Sequence, residues 1–573
     1  MTTNFSRRYF IKGALSATCF TSLVAGGFYG KVIQALGNAK TIEMFKYGVS
    51  SGDPTHSSLV LWTKVESVGC INVLWELSSD SDFKQIVQRG KVITDGAINH
   101  SVKVEVVGLN SGATYYYRFN HQGVYSEPGR TKTLAKGSLE QLGIAVVSCS
   151  NYPFGYFNVY DAIARDEDID FVLHLGDYIY EYGEDGWGAE SGRELDRSHE
   201  PAHEIVSLQD YRQRHAQYKS EKASRLMHSM HPLIPIWDDH ESANNPWKNG
   251  AQNHQKTEGL WQDRRANSVK AYYEWMPIRD PKNKQDKLCL WRHFTFGDLA
   301  SLTTLETRHT GRSLQLDYAD HLNNIKNVSD RNKFMSEVLG DKERQMLSTE
   351  MQDFFVSGMK QSKEQQAWRL VGNQIPMARM HVPKIQGKFK SKESKGYDPV
   401  ADAHKRFERL GELDLPIYLD TWDGYQHARE SFYQATQEAG VSDLLVLTGD
   451  SHSFWANQLF DQLGRSMGVE LGTAGVTSPG DFESYGHKTA TILDNLMIEH
   501  NREIIWTDCQ HRGFIKLILN HKEARADYIA VDTVNSTEYK KSTIKRANIT
   551  NQGGVLTSTL LDYQRISRNG VNG

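Results

Sequence analysis

The stretch Phe171-Val172-Leu173-His174-Leu175-Gly176-Asp177-Tyr178-Ile179-Tyr180-Glu181 decides the reading of the chain. An apolar run too short for a helix ends in Gly-Asp, with aromatic and acidic residues directly behind it. A strand of a parallel sheet looks like this, because both faces are covered and the exit requires a turn. Three further runs repeat the design. Ile144-Ala145-Val146-Val147-Ser148 leads into Cys149, Leu233-Ile234-Pro235-Ile236-Trp237 into Asp238-Asp239-His240-Glu241, and Leu444-Leu445-Val446-Leu447-Thr448-Gly449 into Asp450-Ser451-His452. Open α/β sheets collect ligands outside the carboxyl ends of their strands, so these distant residues are expected to converge.

Taken singly, each Asp reads as an ordinary turn or cap. Taken together, carboxylate, imidazole, thiolate and phenolate at successive strand ends predict a di- or trinuclear metal site. A cation that lowers the pKa of bound water, beside another that neutralises a phosphate, suits metal-assisted phosphoester hydrolysis by attack of the activated water. Cys149 also admits a plain reading as a buried structural thiol, and His240 one as a core histidine.

Outward from these strands, the segment after Leu134 alternates apolar runs with helical stretches, which predicts an α/β layered domain over residues 137–573. Helices are expected over Ser207 to Met230, capped by Ser207 with Asp210, and over Lys342 to Lys360. A closing hairpin is expected from Gly513–Leu519 and Asp527–Val531, and a solvated Lys-rich loop over Lys384 to Lys395. Before Leu134 the pattern is short alternating runs, Ser58–Trp62, Ile71–Leu77, Ser101–Val106 and Tyr115–Phe119. These predict a small all-β sandwich of fibronectin or immunoglobulin type over residues 40–136. The turn Leu109-Asn110-Ser111-Gly112-Ala113-Thr114-Tyr115 supports it.

The first 39 residues carry Arg7, Arg8, Lys12 and Lys31 and no acid. Ser6-Arg7-Arg8-Tyr9-Phe10-Ile11-Lys12 precedes a weakly apolar stretch from Ala14 to Tyr29 and small residues up to Ala39. That is the layout of a twin-arginine export signal, with cleavage expected near Ala39 and delivery to the periplasm or medium by the twin-arginine machinery. A membrane anchor calls for about 20 strongly apolar residues, so none is expected in the mature chain.

Composition fits this picture. At 573 residues the chain is long enough for several domains, and 39% apolar with 24% charged residues excludes disordered, collagenous and integral-membrane classes. The net charge of −4 comes with no sustained basic stretch, so nucleic acid is not expected as an obligate partner. Five scattered cysteines make no disulfide framework.

The motifs resemble those of the PhoD-type alkaline phosphatase/phosphodiesterase family of metallophosphoesterases. Besides the four strand ends, the likeness rests on Gly48-Val49-Ser50-Ser51-Gly52-Asp53-Pro54, Leu61-Trp62-Thr63, Asn373-Gln374, Trp422-Asp423-Gly424-Tyr425 and Thr477-Ser478-Pro479-Gly480. The resemblance implies an α/β (α+β) metallophosphoesterase-like sandwich of sheets flanked by helices, and a mixed site of Fe3+ and Ca2+. By position, Cys149, Asp177 and Tyr180 match the iron ligands, with Asp177 bridging to calcium. Asp238, Asp239, Asn245, Asp450 and His452 fall in the remaining ligand segments. His240 is the implied proton donor, and Asn373 and Arg379 are candidate substrate contacts. The implied substrates are small-molecule, lipid or polymer phosphate esters, cleaved for phosphate scavenging, with a nucleotidase or phospholipase D-like diesterase as the alternative. A binding or adhesion protein with an inactive phosphatase-like domain is the non-enzymatic alternative. Two departures stand out: Ser148-Cys149-Ser150-Asn151 replaces the wider superfamily's Asp-x-His, and Glu306 precedes Thr307-Arg308 where the family usually has Asp.

Overall fold

The four apolar runs form strands, but two sheets share them. The computed structural model describes residues 27–385 and 399–562. In its larger sheet of ten strands, Leu142–Val147, Phe171–His174 and Leu233–Pro235 lie side by side and parallel. Leu444–Thr448 belongs instead to a seven-stranded sheet, between Trp368–Gly372 and Ser466–Gly472, parallel to both. Each of the four is buried along its whole length, as expected for strands covered on both faces.

The sheets pack face to face over Ile144, Val146, Leu173, Leu302, Leu370, Leu445, Leu447 and Leu517. Helices cover both outer faces. Asn158–Ala164, Leu208–Ser220, Lys222–Met230 and Trp261–Trp275 lie on the larger sheet. Thr349–Gln365, Gln426–Glu438 and His487–His500 lie on the smaller one. A backbone bridge between Ser148 and Gly475 ties the two sheets together where the ligand-bearing loops begin.

The N-terminal region has two leaves enclosing Val49, Leu61, Val73, Val104, Tyr117 and Phe119. One leaf is a separate five-stranded sheet containing Ile71–Ser78, Ile86–Thr94 and Thr114–His121. The other, Val49–Gly52, Ser58–Lys64 and Ser101–Val107, continues the ten-stranded sheet through the parallel pairing of Gly52 with Leu233. The small β unit is therefore hydrogen-bonded into the large domain, which no local sequence pattern announces.

Three expectations change in detail. The helix expected over Ser207 to Met230 carries its capping box at Ser207 and Asp210 but breaks at Glu221. Glu221 turns to φ −68°, ψ 137° and accepts a bond from the Phe157 amide at 2.9 Å. The helix expected from Lys342 begins at Thr349, where the Ser348 side chain accepts from the Met351 amide. The closing hairpin, Arg512–Leu519 with Ala524–Val531, is followed by two further strands, Lys541–Gln552 and Val555–Asp562. Their alternation is mostly polar because neither lies deep in the core.

Residues 1–26, which hold the twin-arginine pair, and residues 386–395 of the Lys-rich loop lie outside the described residues. The end of the expected leader is described: Phe28–Leu36 is a helix whose Val32 and Leu36 pack with Ala164, Leu226 and Met230. Among the described residues, no helix is long and apolar enough to cross a membrane.

Candidate metal centre

The loops leaving the four strands meet at one place. Two glycines permit the approach. A Cβ on Gly176, which sits at φ 102°, would lie 2.4 Å from the Asp238 Cβ. One on Gly449 would lie 2.6 Å from the Ser148 Oγ. Only a residue without a side chain lets the Asp177 and Asp238 loops, or the Asp450 and Cys149 loops, come this close.

Three groups of donors result, each with ligand atoms within 4.8 Å of one another: Cys149, Asp177 and His452; Asp177, Asp239 and His240; and Asp238, Asp239 and Asp450. Asp177 belongs to the first two groups and Asp239 to the last two. The Cys149 Sγ lies 3.4 Å from Asp177 Oδ2, and the Tyr180 hydroxyl donates to the same oxygen at 3.2 Å. That hydroxyl also lies 3.4 Å from His452 Nε2 and 2.9 Å from Ser478 Oγ. Asn245 donates its backbone amide to Asp239 Oδ2 at 2.9 Å. Cys149, Asp177, Asn245, Asp450 and His452 all take left-handed backbone angles, at φ 63°, 54°, 49°, 63° and 61°. Such strain in non-glycine residues persists where surrounding contacts over-determine it, and it gathers at functional sites.

Electrostatics argue for cations. Burial pushes the Asp177 carboxyl well above its usual range, and Asp239 adds to the effect. Burial and Asp238 do the same to Asp450, and burial followed by Asp177 raises the Cys149 thiol. Oδ1 of Asp239 is buried with no hydrogen-bond partner. A crowd of desolvated acids, one of whose oxygens has no hydrogen bond and only a 3.6 Å ion pair to Arg308, fits a cluster of positive ions, whose charge would ionise the acids. The thiolate and phenolate side suits a softer, redox-capable ion and the carboxylate side a hard one.

The chain itself supplies two cations. His240, despite burial, is held well above its ordinary pKa by Asp239 and Glu181. Its Nδ1 is 2.6 Å from Glu181 Oε2, and its Nε2 lies 3.8 Å from Asp239 Oδ2. Arg308 is fully buried and donates through Nε and Nη2 to Asp238 at 2.5 and 3.0 Å, and through Nη2 to Asp450 at 2.9 Å. Burial takes His452 the other way, to a pKa of about 3, leaving a neutral imidazole able to ligate.

Three carboxylates that the sequence motifs contain, without a positioning role read for them there, hold the loops. Glu241 accepts backbone bonds from Asp177 at 3.0 Å, Tyr178 at 2.7 Å and Asp238 at 2.8 Å, clasping two ligand loops together. Glu181 orients His240 and accepts from the Asn244 amide at 2.7 Å. Glu306 accepts from the amides of Arg308 and His309 at 3.0 and 2.8 Å, which shapes the loop presenting Arg308. Glu181 and Glu241 each stand one residue beyond a proposed functional side chain, and that adjacency was the available signal.

The candidate substrate contacts are placed differently. Asn373 is buried at the end of its strand and donates to the Ile375 carbonyl at 2.6 Å. Its neighbour Gln374 does the linking, donating to the carbonyls of Trp237 and Leu305 at 2.9 and 3.0 Å. Arg379 faces a separate cleft of about 1230 Å³, ion-paired to Glu430 and Glu503. Among the described residues, no hydrogen bond joins Asn373 or Arg379 to the proposed ligands. Arg308 is the arginine the fold brings to the centre.

Comparison with known proteins agrees with this geometry. Residues 144–528 match the model of the PhoD-like phosphatase family, and residues 32–135 match that of the PhoD-like phosphatase N-terminal domain. Alkaline phosphatase D of Bacillus subtilis (strain 168) is 32% identical over 594 aligned positions, covering 98% of this chain and 92% of that protein. The solved structure titled "Structure of PhoD" superposes with a TM-score of 0.73 at 28% identity, covering 92% of this chain and 94% of the other. The chain belongs to the PhoD-like phosphatase family, and with it to the phosphoric ester hydrolases.

Proposed function

We propose that this chain is an exported, metal-dependent phosphoesterase that hydrolyses phosphomonoesters, phosphodiesters or both and so releases phosphate for uptake. The observation that carries the reading is the meeting of two donor groups, Cys149, Asp177 and His452 with Asp238, Asp239 and Asp450, beside the cations Arg308 and His240. In this reading the two facing sheets with their helical flanks are the metallophosphoesterase sandwich, and the N-terminal leaves are its fibronectin-like companion. Cys149, Asp177, Tyr180 and His452 would hold an iron ion, and Asp238, Asp239, Asn245 and Asp450 calcium. Bound there, such cations polarise phosphoryl oxygens and lower the pKa of a water ligand.

The chain's own side chains do the rest. Arg308, whose Nε and Nη2 are engaged by Asp238 and Asp450, holds those carboxylates in place, and its buried charge offsets negative charge that grows beside them. Glu181 fixes His240 through Nδ1, so the remaining proton stands on Nε2, facing the cluster, where a departing alkoxide needs it. Glu241, Glu306 and Gln374 hold the loops so that these groups need not reorganise.

Export rests on the twin-arginine pattern of the first residues. Cleavage near Ala39 would remove the packed helix Phe28–Leu36, so the N-terminus of the secreted protein checks the cleavage position directly.

The test is chelation followed by reconstitution. The purified protein is expected to hydrolyse 4-nitrophenyl phosphate or its bis-ester, to lose that activity when iron and calcium are removed, and to regain it when both are restored. Full turnover by protein shown to be free of metal would reject the reading.

A further inference from the structure

The open side of the centre is bordered by the partly exposed Asn244, Asn245, Asp450 and His452. Beside His452 stands one large aromatic ring, that of Trp187, with 38% of its surface in solvent. The indole stacks on the His452 imidazole, centroids 5.4 Å apart and planes 18° apart, and lies 5.9 Å from the Tyr180 ring. Phe154 props it edge-on at 4.8 Å.

The turn that presents the indole is closed by bonds from the Gly186 amide to the Gly183 carbonyl at 3.1 Å and from the Ala189 amide to the Gly186 carbonyl at 3.0 Å. Its glycines are packed: a Cβ on Gly183 would lie 2.6 Å from the Ala202 carbonyl, and one on Gly186 2.7 Å from the Tyr182 Cβ. The Trp187 carbonyl accepts from Asn151 at 3.4 Å. The ring is thus held in place before any substrate arrives, which lowers the entropy cost of stacking on it.

The geometry points to Trp187 as a specificity-determining shelf for the organic half of the ester, favouring planar substituents such as an aryl group or a nucleobase over small flexible alcohols such as glycerol. This rests on the phosphoesterase reading above. A phosphoryl group bound at the centre beside Cys149, Asp177 and His452 has the indole, stacked on His452, at the edge of its site. Aromatic stacking of this kind favours planar groups, and a partly exposed ring gives the weaker end of that preference. Stacking on the face of an indole is tolerant of which ring lies there, so selection is by planarity rather than by base identity.

The test compares the metal-loaded wild type with Trp187→Ala and Trp187→Phe, each checked for unchanged metal content by elemental analysis. The ratio of kcat/KM for phenyl phosphate over glycerol phosphate is expected to fall about 5- to 30-fold in Trp187→Ala and to stay within about threefold of wild type in Trp187→Phe. Calorimetry with phenylphosphonate and methylphosphonate, which are not hydrolysed, is expected to show the same loss of preference in binding. Equal weakening of both members of each pair, or no change in either ratio, would overturn the shelf, as would a wild type that binds neither phosphonate. A wild type that hydrolyses neither ester yet prefers phenylphosphonate in a Trp187-dependent way would reject the phosphoesterase reading and leave the shelf standing.

Discussion

Two buried polar regions lie on opposite sides of Tyr178. Its backbone amide is clasped by Glu241 at the acidic centre, and its hydroxyl lies 3.0 Å from His228 Nε2 in a nest of basic side chains. In the acidic centre the carboxylates of Asp177, Asp238, Asp239 and Asp450 crowd one another, and the backbone is strained. In the basic nest Lys219 sits fully buried over the faces of Trp62 and Tyr178, 3.3 Å from His228. Among the described residues, no carboxylate pairs with it. Both regions hold like-signed groups out of water, yet only the first has ligand geometry and an opening to solvent. Buried charge alone therefore does not mark an active site. Donor atoms converging on a shared point do.

The largest expected effect is that of Asp177→Asn. Asp177 is a donor beside Cys149 and His452 and crowds Asp239 across the centre, so losing its charge should lower kcat/KM by more than about 10³-fold and reduce the bound metal. The same change should stabilise the chelated protein. The folded pKa of Asp177 lies above its unfolded value, so the folded state binds the extra proton, and stability falls as pH rises through the acidic range and stays lowered at pH 7. The variant is expected to melt higher than wild type when both are stripped of metal at neutral pH. A lower melting temperature would show that the acidic crowding is already neutralised within the chain.

Next comes Arg308→Ala, with an expected loss of about 10²- to 10³-fold in kcat/KM, since it removes the fixed cation that orders Asp238 and Asp450 and offsets charge at the centre. Arg308→Lys keeps the charge but not the fork and should recover only part of the loss. Full recovery in the lysine variant would mean that Arg308 acts as a point charge among the acids.

How much of this contrast was legible beforehand follows from where each region stands in the chain. The acidic centre sits at strand ends, where apolar runs stop at Asp177, Asp239 and Asp450, so period and punctuation together exposed it. Arg308 lies after the strand Ala300–Thr304, whose buried threonines and serine blur the apolar signal. Arg379 drew attention only as an arginine near a motif, and the fold turns it into a different cleft. The basic nest has no signature in the sequence, because His215 and Lys219 on the helix Leu208–Ser220 are polar residue types that only Trp62 and Trp275 bury. That cover depends on the N-terminal strands joining the central sheet, a long-range pairing with no local signature.

Glu241→Gln should have a smaller effect, about 10- to 100-fold on metal affinity and activity, typical of a residue that orients ligands. The carboxylate receives three amide donors, and the amide of glutamine can satisfy only those that reach its single oxygen. One N–H of the ligand loops then faces another donor. Elemental analysis alongside kcat and KM would show the change as reduced metal retention; unaltered metal affinity and kinetics would remove Glu241 from the positioning role.

Lys219→Met should leave metal content and turnover unchanged and alter stability alone, and this separates the two regions most cleanly. Burial lowers the Lys219 pKa from 10.5 to about 7. Between those values the unfolded chain binds the proton and the folded chain does not, so stability rises with pH from about 7 to about 10.5 and reaches its lysine-imposed minimum below pH 7. The neighbouring histidines act in the same sense at lower pH. Burial takes His215 to about 3, with Lys219 adding to the shift, so acid favours the unfolded state below about pH 6.5. Methionine fills similar volume without the charge, at the loss of the contacts to Trp62 and His228. The gain should be on the order of 2–4 kcal/mol at pH 6, shrinking toward zero by pH 10. Urea unfolding of chelated wild type and variant across that range measures it. A variant destabilised at every pH would mean that the aromatic faces and His228 compensate the buried ammonium, and the nest would then be a packing device rather than a store of electrostatic strain.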